Sequence, residues 1–541
     1  MSLTNLEINI GFKNSFIKRL YGFFDKHAVV VLTLVLSLIS IYSFIVYYQN
    51  HLGLSYNDAR SHLDIGRRVV EGLKPGLAQL GSVWLPLPHL LMVLTIWNDF
   101  MWHSGLAGAL ESMISFVATG VLVYAFLRNL GVGMLGRLVG VFAFVANINI
   151  LYLQSTAMTE LLLVATMTAG VYELFRWQKN GKLINLIYSA FWVMLATLNR
   201  YDGWFLFLWA CALIIILSYR KKGYKASEAT FLFFTTLAGF GIFLWFLWNL
   251  LIFKDPLYFA FGPYSAHAQQ LQLAQAGVLA SSHNLPLASK IYFYALAFNS
   301  YTIPFVMGIF GALAFWFDKK VKGNIKIALS ALIAPLVFNI LALYLGFSVL
   351  FVQGISGDTW FNVRYGVMLA PTIAIFIGYL IHRVRNMRWL LIILLVFVTF
   401  FAFVNNDAVT IDDARVGSSQ KNVSEVSGWL ATHAKNKDGF VLISAASHDA
   451  IIFSSGLPMS KFIHEGTGTY WLAATSTPDR WARWIIMRTN DLNDSTFKAV
   501  SVTKGFAKYD LVGHYPFADI YELKPEYLKT LNTKASLGPQ K

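Results

Sequence analysis

The first residue with catalytic potential is Asp58, which lies in the polar stretch Tyr56–Glu71. A carboxylate placed beside a hydroxyl can act as a general base and remove its proton. Leu63, Val69 and Val70 follow helical spacing, which predicts a helix lying along the membrane with Asp58 near its N-terminus. An exposed helix cap is the simpler interpretation, because carboxylates are common at that end. The residues alone favour the cap.

Three further motifs bring charged residues into otherwise apolar sequence. Glu160 stands where two apolar runs meet, Arg200 and Asp202 lie among aromatic residues of another turn, and Arg364 opens a later apolar run. An arginine at the membrane surface can bind a phosphate through paired N–H donors. The alternative for Arg364 is a side chain that snorkels to the lipid headgroups. For Glu160 and Asp202 the alternatives are an interfacial turn or a structural ion pair.

The composition indicates that a membrane protein holds these motifs. Of the 541 residues, 56% are hydrophobic and 13% are charged, with a mean hydropathy of +0.55. A soluble core cannot bury so much apolar surface, which excludes an ordinary globular enzyme and a disordered chain. About eleven transmembrane helices are predicted from long apolar runs near residues 28–48, 105–127, 137–157, 158–177, 183–199, 204–219, 229–252, 287–316, 326–350, 363–382 and 388–404.

The distribution of basic residues predicts the orientation of the chain. Residues 1–407 hold 28 Lys and Arg against 15 Asp and Glu, whereas residues 408–541 hold 15 against 13. With the N-terminus in the cytoplasm, 20 of the 28 basic residues fall in or before inside loops, as the positive-inside rule requires. The first polar loop and the tail then lie outside. Positive charge in membrane loops is not a nucleic-acid-binding face, so no nucleic-acid partner is predicted.

A change of character near residue 408 predicts two domains. Residues 1–407 form a transmembrane domain, and residues 408–541 form a small extracytoplasmic α/β domain. In the tail, helical spacing over Val426–Ala434 precedes short segments typical of strands, namely Phe440–Ile443, Trp484–Met487, Asp510–Val512 and Ile520–Leu523. The one cysteine, Cys211, excludes a disulfide framework within the chain. The outer histidines lack metal-ligand spacing, so no metal site is predicted.

Together, Asn57–Val70, Gly76–His89 and the segment around Arg364 resemble the GT-C superfamily of integral-membrane glycosyltransferases. The similarity is greatest to bacterial family-39-like enzymes, which are relatives of protein O-mannosyltransferases and of the aminoarabinose transferase that modifies lipid A. It covers most of residues 20–404. The resemblance implies a GT-C-like fold with more than ten spans, membrane-parallel helices in the first outer loop and an extracytoplasmic C-terminal domain. It also implies that a sugar is transferred from polyprenyl phosphate with inversion.

The resemblance further implies residue roles. Asp58 matches the acidic residue that acts as general base, and Arg60 and Arg364 match positions of lipid-phosphate recognition. Substrate binding is predicted for His62, Glu160, Arg200 and Asp202. Many relatives have two adjacent acids where this chain has Asn57-Asp58-Ala59. A carboxylate-bound divalent metal is therefore less expected, and no cofactor is predicted.

These features predict a glycosyltransferase at the outer face of the bacterial cytoplasmic membrane. It moves a sugar from a polyprenyl-phosphate carrier to a hydroxyl of a protein, glycan or lipid acceptor. The alternative is a transporter or flippase of a lipid-linked saccharide, although such proteins usually have internal repeats, and none is visible in the sequence. A membrane scaffold is a third interpretation, which leaves the shared side of Asp58, Arg60 and Arg364 unexplained.

Overall fold

A computed structural model describes residues 15–262, 265–275, 277–416 and 420–534 of the chain. Its larger part is helical, and a small sheet with helices of its own lies towards the C-terminus. The helices of the larger part are α1 (Ser15–Gln49), α2 (Asn57–Val70), α3 (Leu87–Met92), α4 (Asp99–His103), α5 (Leu106–Asn129), α6 (Met134–Val145), α7 (Ile148–Leu153), α8 (Glu160–Asn180), α9 (Leu183–Thr197), α10 (Tyr201–Lys222), α11 (Tyr224–Phe253), α12 (Tyr258–Phe261), α13 (Ala266–Gln275), α14 (Leu285–Ser300), α15 (Thr302–Phe317), α16 (Gly323–Leu329), α17 (Ala334–Tyr344), α18 (Ala370–Arg383) and α19 (Arg388–Asn405).

Seven helical segments among the described residues are long and apolar enough to cross a membrane. They are Lys26–Gln49, Leu106–Asn129, Tyr201–Lys222, Tyr224–Phe253, Gly323–Tyr344, Val363–Arg383 and Arg388–Val416. The pair α14 and α15 makes an eighth if it is counted as one span. Apolar side chains such as Leu38 and Phe317 are exposed along these helices, as lipid contact requires. The chain is therefore an integral membrane protein with several spans.

The predicted number of eleven spans is too high by this measure. The predicted run 137–157 is divided between α6, which ends at Val145, and the short α7, whose N-terminus Asn147 caps. Helix α9 has 15 residues, fewer than the roughly 20 that a bilayer core needs. Helix α8 is long enough but carries Glu160, Glu173, Arg176 and Lys179 near its ends. Apolar runs thus outnumber the helices that meet the length and composition of a span.

A sharp bend divides the predicted run 287–316. Helices α14 and α15 meet at 108°, and Tyr301 between them has a φ of 61°. Pro304 explains why one straight helix does not form. It has no N–H for the carbonyl of Ser300, and its ring would clash with that carbonyl in a continuous helix.

The first polar loop is helical at its start and irregular later. The predicted helix is present as α2, and it buries Leu63 and Ile65 but not Val69 or Val70. The 3₁₀ turn Leu77–Leu80 follows, and the chain stays irregular until Pro86 precedes α3. The segment with Pro86 and Pro88 is therefore not one continuous helix.

The C-terminal part is a mixed sheet with helices. Its elements are α20 (Val409–Val416), α21 (Gln420–His433), β1 (Phe440–Leu442), α22 (Ala445–Ser455), β2 (Phe462–Ile463), α23 (Thr469–Ser476), α24 (Pro478–Trp481), β3 (Ala482–Met487), α25 (Ser495–Val500), β4 (Tyr509–His514) and β5 (Asp519–Leu523). The strand order is β2-β1-β3-β5-β4, parallel on the β2 side and antiparallel from β3 onwards. Four strands coincide with predicted segments, whereas the two-residue β2 was not predicted.

The C-terminal part packs against the first polar loop. The Gln79 side-chain amide donates to the carbonyl of Gly466 at 2.6 Å. The rings of Trp102 and Phe453 meet edge to face, with centroids 5.9 Å apart. These contacts bring the first polar loop and the C-terminal part together. The predicted domain boundary at residues 407 and 408 falls between α19 and α20.

Candidate active site

Helix α2 brings Asp58 to a buried guanidinium. Asp58 is the second residue of α2, and its Oδ2 accepts a hydrogen bond from Arg364 Nη2 at 2.6 Å. The side chain of Asp58 is 40% exposed, whereas that of Arg364 is 5% exposed. The carboxylate therefore has a charged partner on one side and free access on the other. Asp58 thus forms an ion pair with a residue that is distant in sequence. The local sequence alone favours an exposed helix cap at this position.

Arg364 is the centre of the site. It lies in the 3₁₀ segment Val363–Leu369, and its Nε donates to Glu160 Oε1 at 3.0 Å. Its guanidinium also stacks on aromatic rings, 4.8 Å from the centroid of Tyr56 and 5.3 Å from that of Tyr365. A side chain held on several edges inside the protein does not snorkel to lipid headgroups.

Glu160 links Arg364 to a second arginine. Its side chain is fully buried, and Oε1 lies 3.3 Å from Arg200 Nη1 as well as 3.0 Å from Arg364 Nε. Arg200 Nε lies 3.5 Å from Asp202 Oδ2, and Asp202 Oδ1 accepts a hydrogen bond from the Asn339 amide at 3.3 Å. Glu160 and Asp202 therefore make the ion pairs that the sequence left as their structural alternative.

His62 lies one helical turn after Asp58 and on the same face of α2. Its Nδ1 is 2.9 Å from Nε2 of His89, and its ring packs against Trp84. Burial lowers the pKa of His62 to about 3, and the positive charges of Arg200 and Arg364 act in the same direction. Burial also lowers the pKa of His89 well below its usual range. Both rings are therefore neutral at physiological pH and able to accept or donate hydrogen bonds.

Arg60 points to another side of α2. Two residues along a helix correspond to about 200°, so Arg60 and Asp58 project in nearly opposite directions. Arg60 donates to Asn57 Oδ1 at 2.8 Å and is 2% exposed. It lines a cavity of about 220 Å³ together with Leu54, His103, Phe453, Ser454 and Gly456. Arg60 and Arg364 therefore lie on different sides of α2. A single phosphate bound by both arginines, as predicted, would have to reach across the helix.

Sequence reasoning missed two residues of the site, Tyr56 and Asp413. Tyr56 lies just before α2, and its hydroxyl is 3.0 Å from Asp413 Oδ2. Asp413 in α20 also lies 3.9 Å from Arg364 Nη1. Burial, and then the Asp413 carboxylate, raise the pKa of Tyr56, so its hydroxyl stays protonated and donates. The adjacent acids Asp412 and Asp413 after the last apolar run were the available signal.

The site as a whole carries more carboxylates than guanidiniums. Four carboxylates surround two arginines, and each arginine contacts at least two of them. Within the part of the chain that the structure describes, no group of three or more His, Cys, Asp or Glu could hold a metal ion. Of the four carboxylates, that of Asp58 is 40% exposed, whereas the other three are buried.

Comparison with known proteins gives a match in structure but not in sequence. No family model matches the chain, and no curated protein matches it. The crystal structure of ArnT from Cupriavidus metallidurans bound to undecaprenyl phosphate has a TM-score of 0.53 and 11% sequence identity, over 93% of this chain and 99% of that chain. The apo structure of the same protein has a TM-score of 0.54 and 11% identity, over 90% of this chain and 98% of the other.

The match extends over both parts of the chain. Residues of the helical part and of the C-terminal part are both included, because 93% and 90% of this chain are covered. The GT-C resemblance seen in the sequence motifs is thereby confirmed at the level of the fold. The chain has the fold seen in the two crystal structures of ArnT.

Proposed function

We propose that this protein is an inverting glycosyltransferase that takes its sugar from a polyprenyl-phosphate carrier. The observation that carries the proposal is the 2.6 Å contact between the half-exposed Asp58 and the buried Arg364. A base that is open to solvent and a cation that is fixed in the protein stand side by side there. Their fold is that of a protein crystallised with undecaprenyl phosphate.

The reaction needs one base and one phosphate-binding cation. An acceptor hydroxyl attacks the anomeric carbon, and Asp58 takes its proton. The new bond joins the acceptor oxygen to the sugar, and the bond from the sugar to the phosphate oxygen breaks. The electron pair leaves with polyprenyl phosphate, whose charge Arg364 stabilises. Phosphate leaves without protonation, so the second catalytic carboxylate of a glycoside hydrolase is not required.

The pairing of Asp58 with Arg364 supports the following order of events. A donor phosphate binds the Nη2 edge of Arg364 and displaces Asp58 from it. The carboxylate is then free to accept a hydrogen bond from the acceptor hydroxyl next to the sugar. Glu160 stays on the Nε edge, and His62, Arg200 and Asp202 are proposed to border the sugar. Arg60 remains a predicted ligand of the lipid phosphate from the other face of α2.

The proposed location follows the distribution of charge. The N-terminus is cytoplasmic, and the first polar loop and C-terminal sheet face the outside of the bacterial cytoplasmic membrane. The acceptor is a protein, glycan or lipid hydroxyl at that face.

The test is transfer by the purified protein with radiolabelled polyprenyl-phosphate sugars and a cell-envelope extract. We expect the wild type to label an acceptor and Asp58→Asn to lose about 100-fold or more of the rate, because the base is gone. Asp255→Asn, an exposed carboxylate elsewhere in the chain, should keep the wild-type rate. Equal rates for wild type and Asp58→Asn would contradict the mechanism. Passage of the substrate into sealed vesicles without any covalent product would support the transporter instead.

A further inference from the structure

We infer that Asp413 is a positioning residue, which holds Arg364 in place from α20, the helix that follows α19. The inference rests on the proposed function, since it concerns the phosphate-binding arginine of that reaction. It assigns part of the site to α20, whereas all the site residues predicted from the sequence lie before residue 408. The supporting observations concern the burial of Asp413, the anchoring of its helix and the edges of the Arg364 guanidinium.

Asp413 is buried among partners that belong to the site. It is 2% exposed, with Oδ2 3.0 Å from the Tyr56 hydroxyl and 3.9 Å from Arg364 Nη1. The Tyr56 hydroxyl also donates to the carbonyl of Thr410 at 2.8 Å. A carboxylate in an apolar interior is costly unless it has such partners. Its place next to a cation is therefore a specific requirement of this site.

The helix that carries Asp413 is firmly attached to the membrane part. Asn149 Oδ1 accepts from both the backbone N–H and the hydroxyl of Thr410, at 3.0 and 2.9 Å. The Tyr301 hydroxyl donates to the carbonyl of Asp407 at 2.9 Å. These hydrogen bonds fix the start of helix α20. Asp413 lies one turn after Thr410, so its position is fixed as well.

The three carboxylates around Arg364 approach different nitrogens of its guanidinium. Asp58 meets Nη2, Glu160 meets Nε and Asp413 lies nearest to Nη1. In the proposed reaction Asp58 leaves its edge when the donor phosphate arrives. Glu160 and Asp413 then keep the guanidinium plane facing the phosphate. A guanidinium with one remaining partner could rotate, and its paired N–H donors would no longer match the phosphate oxygens.

The kinetic test compares Asp413→Asn with Asp412→Asn, the neighbouring carboxylate on the exposed side of α20. We expect Asp413→Asn to raise the KM for the polyprenyl-phosphate donor by about tenfold, because a contact of a charged group is lost. The KM for the acceptor should stay unchanged. Tyr56→Phe removes one hydrogen bond of Asp413 and should have a smaller effect in the same direction. Asp412→Asn should equal the wild type.

A second measurement does not depend on activity. In the wild-type background Asp413→Asn should lower the thermal midpoint of the detergent-solubilised protein. In an Arg364→Gln background it should lower the midpoint less or raise it, since the carboxylate has already lost its cation. An unchanged donor KM in an active enzyme, or an equal midpoint shift in both backgrounds, would overturn the inference. A wild type that transfers no sugar refutes the proposed function alone, because the thermal cycle still decides the role of Asp413.

Discussion

Arg364 determines what the neighbouring residues can do. Its guanidinium fixes Asp58, compensates the buried charge of Glu160 and lies close to Asp413. A lysine would keep the charge but offer one point of contact where the arginine offers a rigid fork. The candidate site is therefore a network around the Arg364 side chain. Its carboxylates differ in which nitrogen of the guanidinium they approach.

The buried histidines predict a pH dependence of stability. The pKa of His62 is about 3 in the folded protein, below the value of about 6.5 for an unfolded chain. As the pH falls below 6.5 the unfolded state therefore binds the proton first. Stability is lost towards pH 3 by at most about 1.4 kcal/mol per pH unit from this group.

Thermal midpoints measured from pH 7.5 to 5 check this prediction. His62→Gln should give a shallower decline than the wild type, while His89 keeps its own contribution. The exposed His433 supplies the control, because His433→Gln should leave the slope unchanged. Parallel declines for wild type and His62→Gln would show that His62 does not resist protonation in the fold.

Sequence reasoning reached only part of the network at this scale. Asp58, Glu160, Asp202 and both site arginines stand out because charge is rare in apolar sequence. Tyr56 and Asp413 do not stand out, because a tyrosine beside a loop and an acid after a span are common. Their importance depends on a contact between residues 357 positions apart, and local spacing carries no information about such a contact.

At the scale of elements, the apolar runs predicted where helices form but not how many of them span the membrane. Each predicted apolar run contains at least one helix, because lipid and protein interior both favour apolar side chains. They gave the wrong number of spans, because hydropathy does not record where a helix bends or ends. The angle at Tyr301 and the short α6 and α9 depend on capping, proline and packing.

The crossing of α15 and α18 gives a prediction of its own. Gly311 approaches α18 so closely that an added Cβ would overlap the Phe376 carbonyl, a backbone atom that cannot turn away. We expect Gly311→Ala to destabilise the protein by about 1–3 kcal/mol, since the helices must move apart. Gly323→Ala, where a Cβ meets nothing within 4 Å, should be close to neutral. Thermal midpoints in detergent measure both, and equal midpoints would contradict this packing.

At the scale of the whole molecule, the contact between the first polar loop and the C-terminal part predicts that both lie on the same side of the membrane. After Cys211→Ser removes the one cysteine, single cysteines can report orientation in intact cells. An impermeant maleimide should label Leu77→Cys and Leu492→Cys from outside, because both positions are exposed. Lys221→Cys and Lys320→Cys should react only after the cells are opened. Labelling of Leu77→Cys and Leu492→Cys from opposite sides would contradict the fold.

The late position of Asp413 in the chain also has a consequence for biosynthesis. Asp58 emerges from the ribosome early and Arg364 follows 306 residues later, but α20 is made only after α19. A nascent chain that ends in α19 already has its base and its cation, without the carboxylate that steadies the cation. The order of synthesis therefore delays a complete network until the membrane part has been inserted. Premature termination after α19 would leave a membrane protein that has Asp58 and Arg364 but lacks Asp413.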